Sequence, residues 1–321
     1  MAKSKSIIGV DIGATFVKIG LVDAKGKILH KDSFATKKHK NRDKLLSEIV
    51  DRVDRLALGN RSNIAGVGVG VPGPVLFKKG IVYNLTNIKG WKRVPLKSIL
   101  SKRLKGMPIV VDNDANCACL GEALWGAAKG YRDIVCITLG SGVGGGIMID
   151  GRVYRGRNYS AAEIGHICID RNGPRCNCGS NGCFETFGGN NYIVKEVVSR
   201  LNKGERSSVL ELAGNKYTNI TPKLLDKAAR QGDKFSIKAW EKVGLNIGIG
   251  LAGIVNVLNP EIIVIGGGLS KAGEHLFGSI RETVKARAMD IFTKGLKIKR
   301  AKFIEDAGIV GAAALIRGRL Q

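Results

Sequence analysis

Twice along this chain an apolar, strand-like segment enters a glycine turn that carries a hydroxyl and leaves it as another strand. Residues 6–11 read as a strand, Gly13-Ala14-Thr15 as the turn, and 16–22 as the outgoing strand. Residues 133–139 then lead into Gly140-Ser141-Gly142-Val143-Gly144-Gly145-Gly146. After it, 147–149 and 152–154 read as a hairpin around Asp150-Gly151, a dipeptide favoured in two-residue turns. The repetition points to a duplicated α/β architecture with a ligand in the cleft between two units. The 321 residues suffice for about two domains.

The segments between fit that plan. Leu46, Ile49, Val50, Val53 and Ala57 recur at helical spacing within 43–58. A small-residue strand at 65–71 stops at Pro72-Gly73-Pro74. A short helix is expected over 96–104. A strand at 108–111 delivers Asp112-Asn113-Asp114 to a helix that runs to about Ala128. Later come a long helical pattern over 234–258, an apolar strand at 261–265 entering Gly266-Gly267-Gly268, a helix over 271–289, a strand at 301–304 and a closing helix over 308–317.

Glycine turns after apolar strands leave backbone N–H groups free for phosphate oxygens, and Asp11 at such a strand end suits Mg²⁺ held through water. Gly266-Gly267-Gly268 lets backbone lie flat against a base or ribose. One such turn alone reads more readily as a plain hairpin; three together, each directly after an apolar strand, favour a nucleotide. None matches the Walker sequence, and a hairpin follows residues 140–145 where a dinucleotide fingerprint needs a helix. Asp114 begins a helix, so it can serve as an N-cap. In a kinase, a carboxylate there takes the alcohol proton as the phosphoryl group arrives.

The densest constellation is His166, Cys176, Cys178 and Cys183. One imidazole and three thiolates fit tetrahedral structural Zn²⁺, with free or redox thiols as the competing reading. Protein would fill all four positions, so the metal would shape the loop and activate no water. The other cysteines, 117, 119, 136 and 168, read as small buried side chains. With seven cysteines and no apolar leader segment at the N-terminus, the expectation is a cytoplasmic protein without a disulfide framework. No apolar run reaches the roughly 18 residues of a membrane span.

The net charge of +25 invites a nucleic-acid reading. The excess is spread over Lys37, Lys38, Lys97, Lys102, Arg103, Lys105, Lys294, Lys297, Lys299 and Arg300, without an aromatic-interleaved stripe. Solvated faces are the simpler account, and a positive field equally favours ATP.

Glu163-Ile164-Gly165-His166, followed by Cys176-Asn177-Cys178-Gly179-Ser180-Asn181-Gly182-Cys183-Phe184-Glu185, resembles the signature of the ROK family (repressor, open reading frame, kinase). The likeness continues in order along nearly the whole chain. Residues 11–18, with Asp11, Gly13, Thr15 and Lys18, resemble the family's first phosphate motif. Residues 138–146, with Thr138, Gly140, Ser141, Gly142 and Gly144, resemble its second, and 259–268 resemble its adenosine segment.

The resemblance implies an actin-like (ribonuclease H-like) ATPase fold in two lobes with a central cleft. The small lobe would hold 1–118 plus about 306–321, and the large lobe 119–305. It implies an ATP-dependent sugar kinase acting on a 6-hydroxyl, with glucose the first choice. Asp114 would be the base, with Gly73, Asn87, Asn113, Glu163, His166 and Glu185 around the sugar. His166 would bind zinc with one ring nitrogen and sugar with the other. A homodimer is expected.

Three residues depart from the family pattern. Ala14 and Ala162 stand where glycine is usual, and Ser141 where threonine is. Rivals within the kinases are an N-acetylhexosamine kinase and a fructokinase. A transcriptional regulator of the same family is the rival outside them, and only ten residues precede Asp11, too few for its helix-turn-helix module.

Overall fold

The computed structural model describes residues 5–39, 41–59, 61–85 and 90–318. The chain divides into two compact units. One comprises Met1–Cys136, Gly146–Ala162 and Lys302–Gln321; the other comprises Ile137–Gly145 and Glu163–Ala301.

The first unit opens with the meander β1 (Ser6–Ile12), β2 (Phe16–Val22) and β3 (Ile28–Ala35), then helix α1 (Arg42–Ala57) and β4 (Ile64–Val71). Three short strands follow, β5 (Val75–Leu76), β6 (Ile81–Asn84) and β7 (Lys92–Val94). Next come α2 (Leu96–Arg103), β8 (Ile109–Asn113) and α3 (Asp114–Trp125). The main sheet has the order β3-β2-β1-β4-β8, with β1–β2 and β2–β3 antiparallel and β1–β4 and β4–β8 parallel.

Strand β4 is buried along almost its whole length, as expected when helices cover both faces of parallel strands. Leu45, Leu46, Ile49 and Val53 of α1 share one core with Ile8, Val10 and Val69. On the other face Ile7 and Val110 pack with Ile309, Ala313 and Ile316 of the closing helix. That helix lies backbone against sheet. A Cβ at Gly9 or Gly68 would sit 2.0 Å from Ile309 O and 1.7 Å from Ala312 O.

A second sheet contains β9 (Ile134–Leu139), β10 (Val143–Ile149), β11 (Arg152–Val153) and two later strands, β12 (Ile262–Gly266) and β13 (Lys297–Arg300), in the order β11-β10-β9-β12-β13. Asp150 and Gly151 turn between β10 and β11 with φ of 51° and 76°, the two positive values such hairpins require.

The second unit's helices are α4 (Glu185–Gly188), α5 (Asn190–Asn202), α6 (Ser208–Leu212), α7 (Pro222–Arg230), α8 (Lys234–Leu258), α9 (Glu274–Arg287) and α10 (Asp290–Thr293). Helix α11 (Ala307–Arg317) closes the chain in the first unit. Among the described residues, α8 is the one helix long and apolar enough to cross a membrane. Its Trp240, Ile247 and Leu251 are buried, and Gly244 and Gly248 let it press against Ser279 and Thr283 of α9. That is the packing of a core helix.

Several expected boundaries move. The last strand lies at Lys297–Arg300, four residues before its expected place, because its one inward residue, Ile298, pairs with Ile263. Gly144–Gly146 belong to β10 instead of a loop. Gly146 is required there, since a Cβ would meet Ala115 O and Cys119 Cβ, both at 2.7 Å. Cysteines 117, 119 and 136 are buried as expected, but Cys168 is exposed in the loop that carries the cysteine cluster.

Candidate active site

In the first unit, β8 ends in Asp112-Asn113 and α3 starts at Asp114. Asn113 is the N-cap: its Oδ1 accepts hydrogen bonds from Ala115 N at 2.9 Å and Asn116 N at 3.2 Å. The cap therefore falls to Asn113, and Asp114 occupies the first helical turn, its Oδ1 accepting from Ala115 N at 2.8 Å. A carboxylate in that position is favoured in its ionised form by the helix dipole. Asn113 also donates from Nδ2 to Gly73 O at 3.3 Å, joining the loop after β4 to the strand end that carries Asp114. Asn87 lies outside the described residues.

Asp11 stands near the end of β1, opposite Lys18 of β2 and Gly70 of β4. Its carboxylate packs against Gly308 in the first turn of α11. Burial pushes its pKa above the usual aspartate value, and Lys18 opposes the shift. The turn is short: Gly13 N donates to Phe16 O at 3.0 Å, and Thr36 Oγ1 donates to Gly13 O at 2.7 Å. Thr15 at its tip is exposed, and Lys18 Nζ donates to Glu305 O at 3.0 Å.

In the second unit, residues 167–184 fold back on themselves. Ile169 N donates to Gly182 O at 2.9 Å, Cys176 N to Ser180 O at 2.8 Å, and Phe184 N to Ile167 O at 2.8 Å. This brings one donor atom each of His166, Cys176, Cys178 and Cys183 within 4.8 Å of one another. Cys176 Sγ is 3.7 Å from His166 Nδ1, and Cys178 Sγ is 3.6 Å from Cys183 Sγ. A tetrahedron with Zn–S bonds of about 2.3 Å has edges of about 3.8 Å, so the donor set fits the ion.

Burial and then the bonds to Cys178 and Cys176 push Cys183 up to about 12, whereas the Ser180 N–H lowers Cys178. With Nδ1 of His166 facing the sulfurs, Nε2 faces the other way, 4.0 Å from Glu163 Oε2.

Glu185 opens α4 and ties this loop to the second glycine turn. Its Oε2 accepts from Val143 N at 3.1 Å and lies 2.1 Å from where a Gly142 Cβ would stand, so a side chain at 142 would push this carboxylate off its hydrogen bond. Its Oε1 is 4.0 Å from Cys176 Sγ. Gly165 packs on Val143 O, which places the Glu163–His166 turn on the same strand start. Ser141 is exposed at the tip of this turn, where Gly140 N bonds Gly142 O at 2.9 Å. Ala162, just before Glu163, holds φ at 68°, a left-handed conformation that favours glycine.

The third turn abuts the second. Gly267 has φ of 81°, and a Cβ there would lie 2.2 Å from Leu139 O; a Cβ at Gly266 would meet Ala301 Cβ at 3.3 Å and Ile137 O at 3.7 Å, with Thr138 Cγ2 at 4.0 Å. Beside Gly268 opens a cavity of about 570 Å³, lined also by Asn190, Thr221, Lys223, Asp226, Arg230 and Trp240. Three of its residues carry buried polar atoms with no partner among the described residues: Asn190 Oδ1, Asp226 Oδ1 and Trp240 Nε1. Buried polar atoms are normally paired, so three unpartnered ones on residues that line a single cavity single out this region beside Gly268. Sequence reasoning found Gly268 but missed these side chains.

The sequence profile of the ROK family matches residues 7–319. A glucokinase of Thermotoga maritima is 38% identical over 98% of this chain and 98% of its own length. Among solved structures, a ROK family glucokinase from Streptomyces griseus in complex with glucose and AMPPNP superposes with a TM-score of 0.82 and 34% identity, covering 98% of this chain and 99% of that one. A ROK family transcriptional regulator, homologous to the Escherichia coli MLC protein, superposes with a TM-score of 0.88 and 27% identity, covering 98% of this chain and 78% of that one. The fold is therefore that of the actin-like ATPases, and this chain belongs to the ROK family.

Proposed function

We propose that this chain is a glucokinase that transfers the γ-phosphoryl group of ATP to the 6-hydroxyl of glucose. The observation that carries the reading is the full-length likeness to glucokinases, stronger in identity than the likeness to the regulator. Asp114 acts as general base: it takes the 6-hydroxyl proton as that oxygen attacks the γ-phosphorus and ADP leaves. Asn113 leaves Asp114 this role by capping the helix itself. Gly73, Asn87, Asn113, Glu163, His166 and Glu185 hold the sugar. Gly13, Thr15, Lys18, Thr138, Gly140, Ser141, Gly142 and Gly144 serve the phosphates, and the cavity beside Gly266-Gly267-Gly268 takes the adenine.

Asp11 is the residue that would hold Mg²⁺ through water, and the ion would neutralise phosphate charge. His166, Cys176, Cys178 and Cys183 would hold Zn²⁺, which fixes the imidazole ring and its tautomer. Nδ1 is then the metal-side nitrogen, and Nε2 is left to meet a sugar hydroxyl. We place the enzyme in the carbohydrate metabolism of the cytoplasm, as a homodimer feeding glycolysis.

The test is an ADP-release assay coupled to glucose, mannose, fructose, N-acetylglucosamine and N-acetylmannosamine in turn. Glucose should give the highest kcat/KM. A higher value for an N-acetylhexosamine or fructose reassigns the substrate, and no release with any sugar favours the regulator reading that the 0.88 TM-score keeps in view.

A further inference from the structure

On the first unit, a cavity of about 750 Å³ opens between the β10–β11 hairpin, α3, the end of α11 and the turn after β5. Its apolar wall is built from Val110, Leu120, Leu124, Met148 and Leu315, drawn from four separate elements. Four basic residues line it, Lys78, Lys97, Arg152 and Arg155, and no acidic one does.

The four cations are not equivalent. Arg155 is committed: its guanidinium bonds the buried carboxylate of Asp112 and stacks on Phe77 at 3.7 Å. The carboxylate of Asp150 is held chiefly by Arg132, which bonds it directly, with Arg152 a lesser influence. Lys78 and Lys97 have neither an ion pair nor a side-chain hydrogen bond among the described residues. Gly80 lets the turn approach the base of the Lys97 side chain closely, since an added Cβ there would lie 2.3 Å from Lys97 Cβ. Two lysines without an ion pair among the described residues thus line a cleft with an apolar wall.

Solvated lysines are ordinary on a chain of this charge. The apolar wall distinguishes this place from the ridge at Lys297, Lys299 and Arg300, where the cations are simply exposed along an edge strand. A ligand suited to the cleft needs an apolar body for the wall and an anionic group for the lysines, within the volume range of small-molecule sites.

We propose that this cavity binds a small amphiphilic anion: an aliphatic or aromatic body carrying a carboxylate, sulfonate or phosphate. The wall supplies affinity by burial of the body, and Lys78 and Lys97 select the charge. The inference is independent of the kinase reading, because neither lysine belongs to the proposed catalytic or substrate-binding residues.

The probe is 8-anilinonaphthalene-1-sulfonate, followed by its fluorescence on the full chain, with octyl phosphate, octanol and inorganic phosphate as competitors. Saturable binding is expected, displaced by octyl phosphate far better than by octanol or inorganic phosphate. The double variant Lys78→Glu/Lys97→Glu should weaken it by about tenfold or more. Glucose phosphorylation and the melting temperature of that variant should match the parent. Undiminished binding by the double variant overturns the proposal. So does competition by octanol equal to that by octyl phosphate, which leaves an apolar patch only, or equal competition by inorganic phosphate, which leaves a plain anion site.

Discussion

Oδ2 of Asp112 accepts two hydrogen bonds from a single guanidinium, Arg155 Nε at 2.9 Å and Nη2 at 2.7 Å. Oδ1 of the same carboxylate accepts from Asn113 N at 2.8 Å and Asn116 Nδ2 at 3.3 Å. The two side chains are only 2% and 18% exposed. A buried ion pair with two hydrogen bonds to one carboxylate oxygen therefore braces the strand end that carries Asn113 and Asp114. Removing the guanidinium leaves the buried Asp112 carboxylate with its two Oδ1 hydrogen bonds but no opposite charge, so Arg155→Gln should cost about 3 kcal/mol of stability. Arg155→Lys keeps the charge but not the paired geometry, and should recover only part. Urea unfolding reads this directly. A midpoint equal to the parent's for Arg155→Gln would mean that the pair contributes nothing.

Asp114→Asn should leave the fold intact, because Asn113 and not Asp114 caps α3. If Asp114 is the base, turnover should fall by about 10²–10⁴-fold, with little change in the KM for ATP. Steady-state kinetics alongside circular dichroism separate the two effects. Near-parental turnover would remove Asp114 from the role.

The legible parts of this protein were those written in local patterns. The glycine turns, the strands entering them and the His–Cys spacing all survive in the structure because each depends on residues close in sequence. The sheet β5-β6-β7 was invisible, since strands of two to four residues carry no period. Strand β13 was misplaced because Lys297-Ile298-Lys299-Arg300 shows one apolar residue on an otherwise charged edge. The cavity beside Gly268 gathers Asn190, Asp226 and Trp240 from three helices, and no spacing rule links such distant positions. The Asp112–Arg155 pair escaped for the same reason: 43 residues separate its partners.

Cys178→Ser should reduce bound zinc from about one per chain to near zero under metal analysis, since one thiolate of a four-donor set is lost. Cys178 is exposed, so the change removes a metal donor without opening a core cavity. The ring of His166 then loses its anchor, and the KM for glucose should rise by about tenfold or more. Finding no zinc in the parent protein would sink this account of the loop.

Asp11 carries a pKa raised chiefly by burial. Between the unfolded value of 3.8 and the higher folded one, the native state holds more protons than the unfolded state, so stability falls as pH rises through that window and stays lower above it. Asp11→Asn should therefore melt at a higher temperature than the parent at neutral pH, and at nearly the same temperature below the usual aspartate range. The gain should come with a loss of turnover of roughly 10²-fold, if the carboxylate serves the nucleotide site as proposed. Melting curves across pH, with kinetics at one neutral pH, test both halves. A variant less stable than the parent at neutral pH contradicts the first.

Ala162 offers the reverse case, a residue that costs stability without carrying chemistry. Its φ of 68° is a left-handed conformation in which an alanine Cβ crowds the following carbonyl, at a cost of about 1–2 kcal/mol. Glycine removes that crowding but adds freedom to the unfolded chain, worth about 0.4–1 kcal/mol in the opposite direction. Ala162→Gly should consequently stabilise the protein by a net of about 0.5–1 kcal/mol. The gain should appear as a higher urea midpoint with an unchanged slope. Glu163 follows directly in the chain, so the KM for glucose reads whether the relief also moves its carboxylate. A lower midpoint would mean that neighbouring packing, not the left-handed backbone, sets the energy at this position.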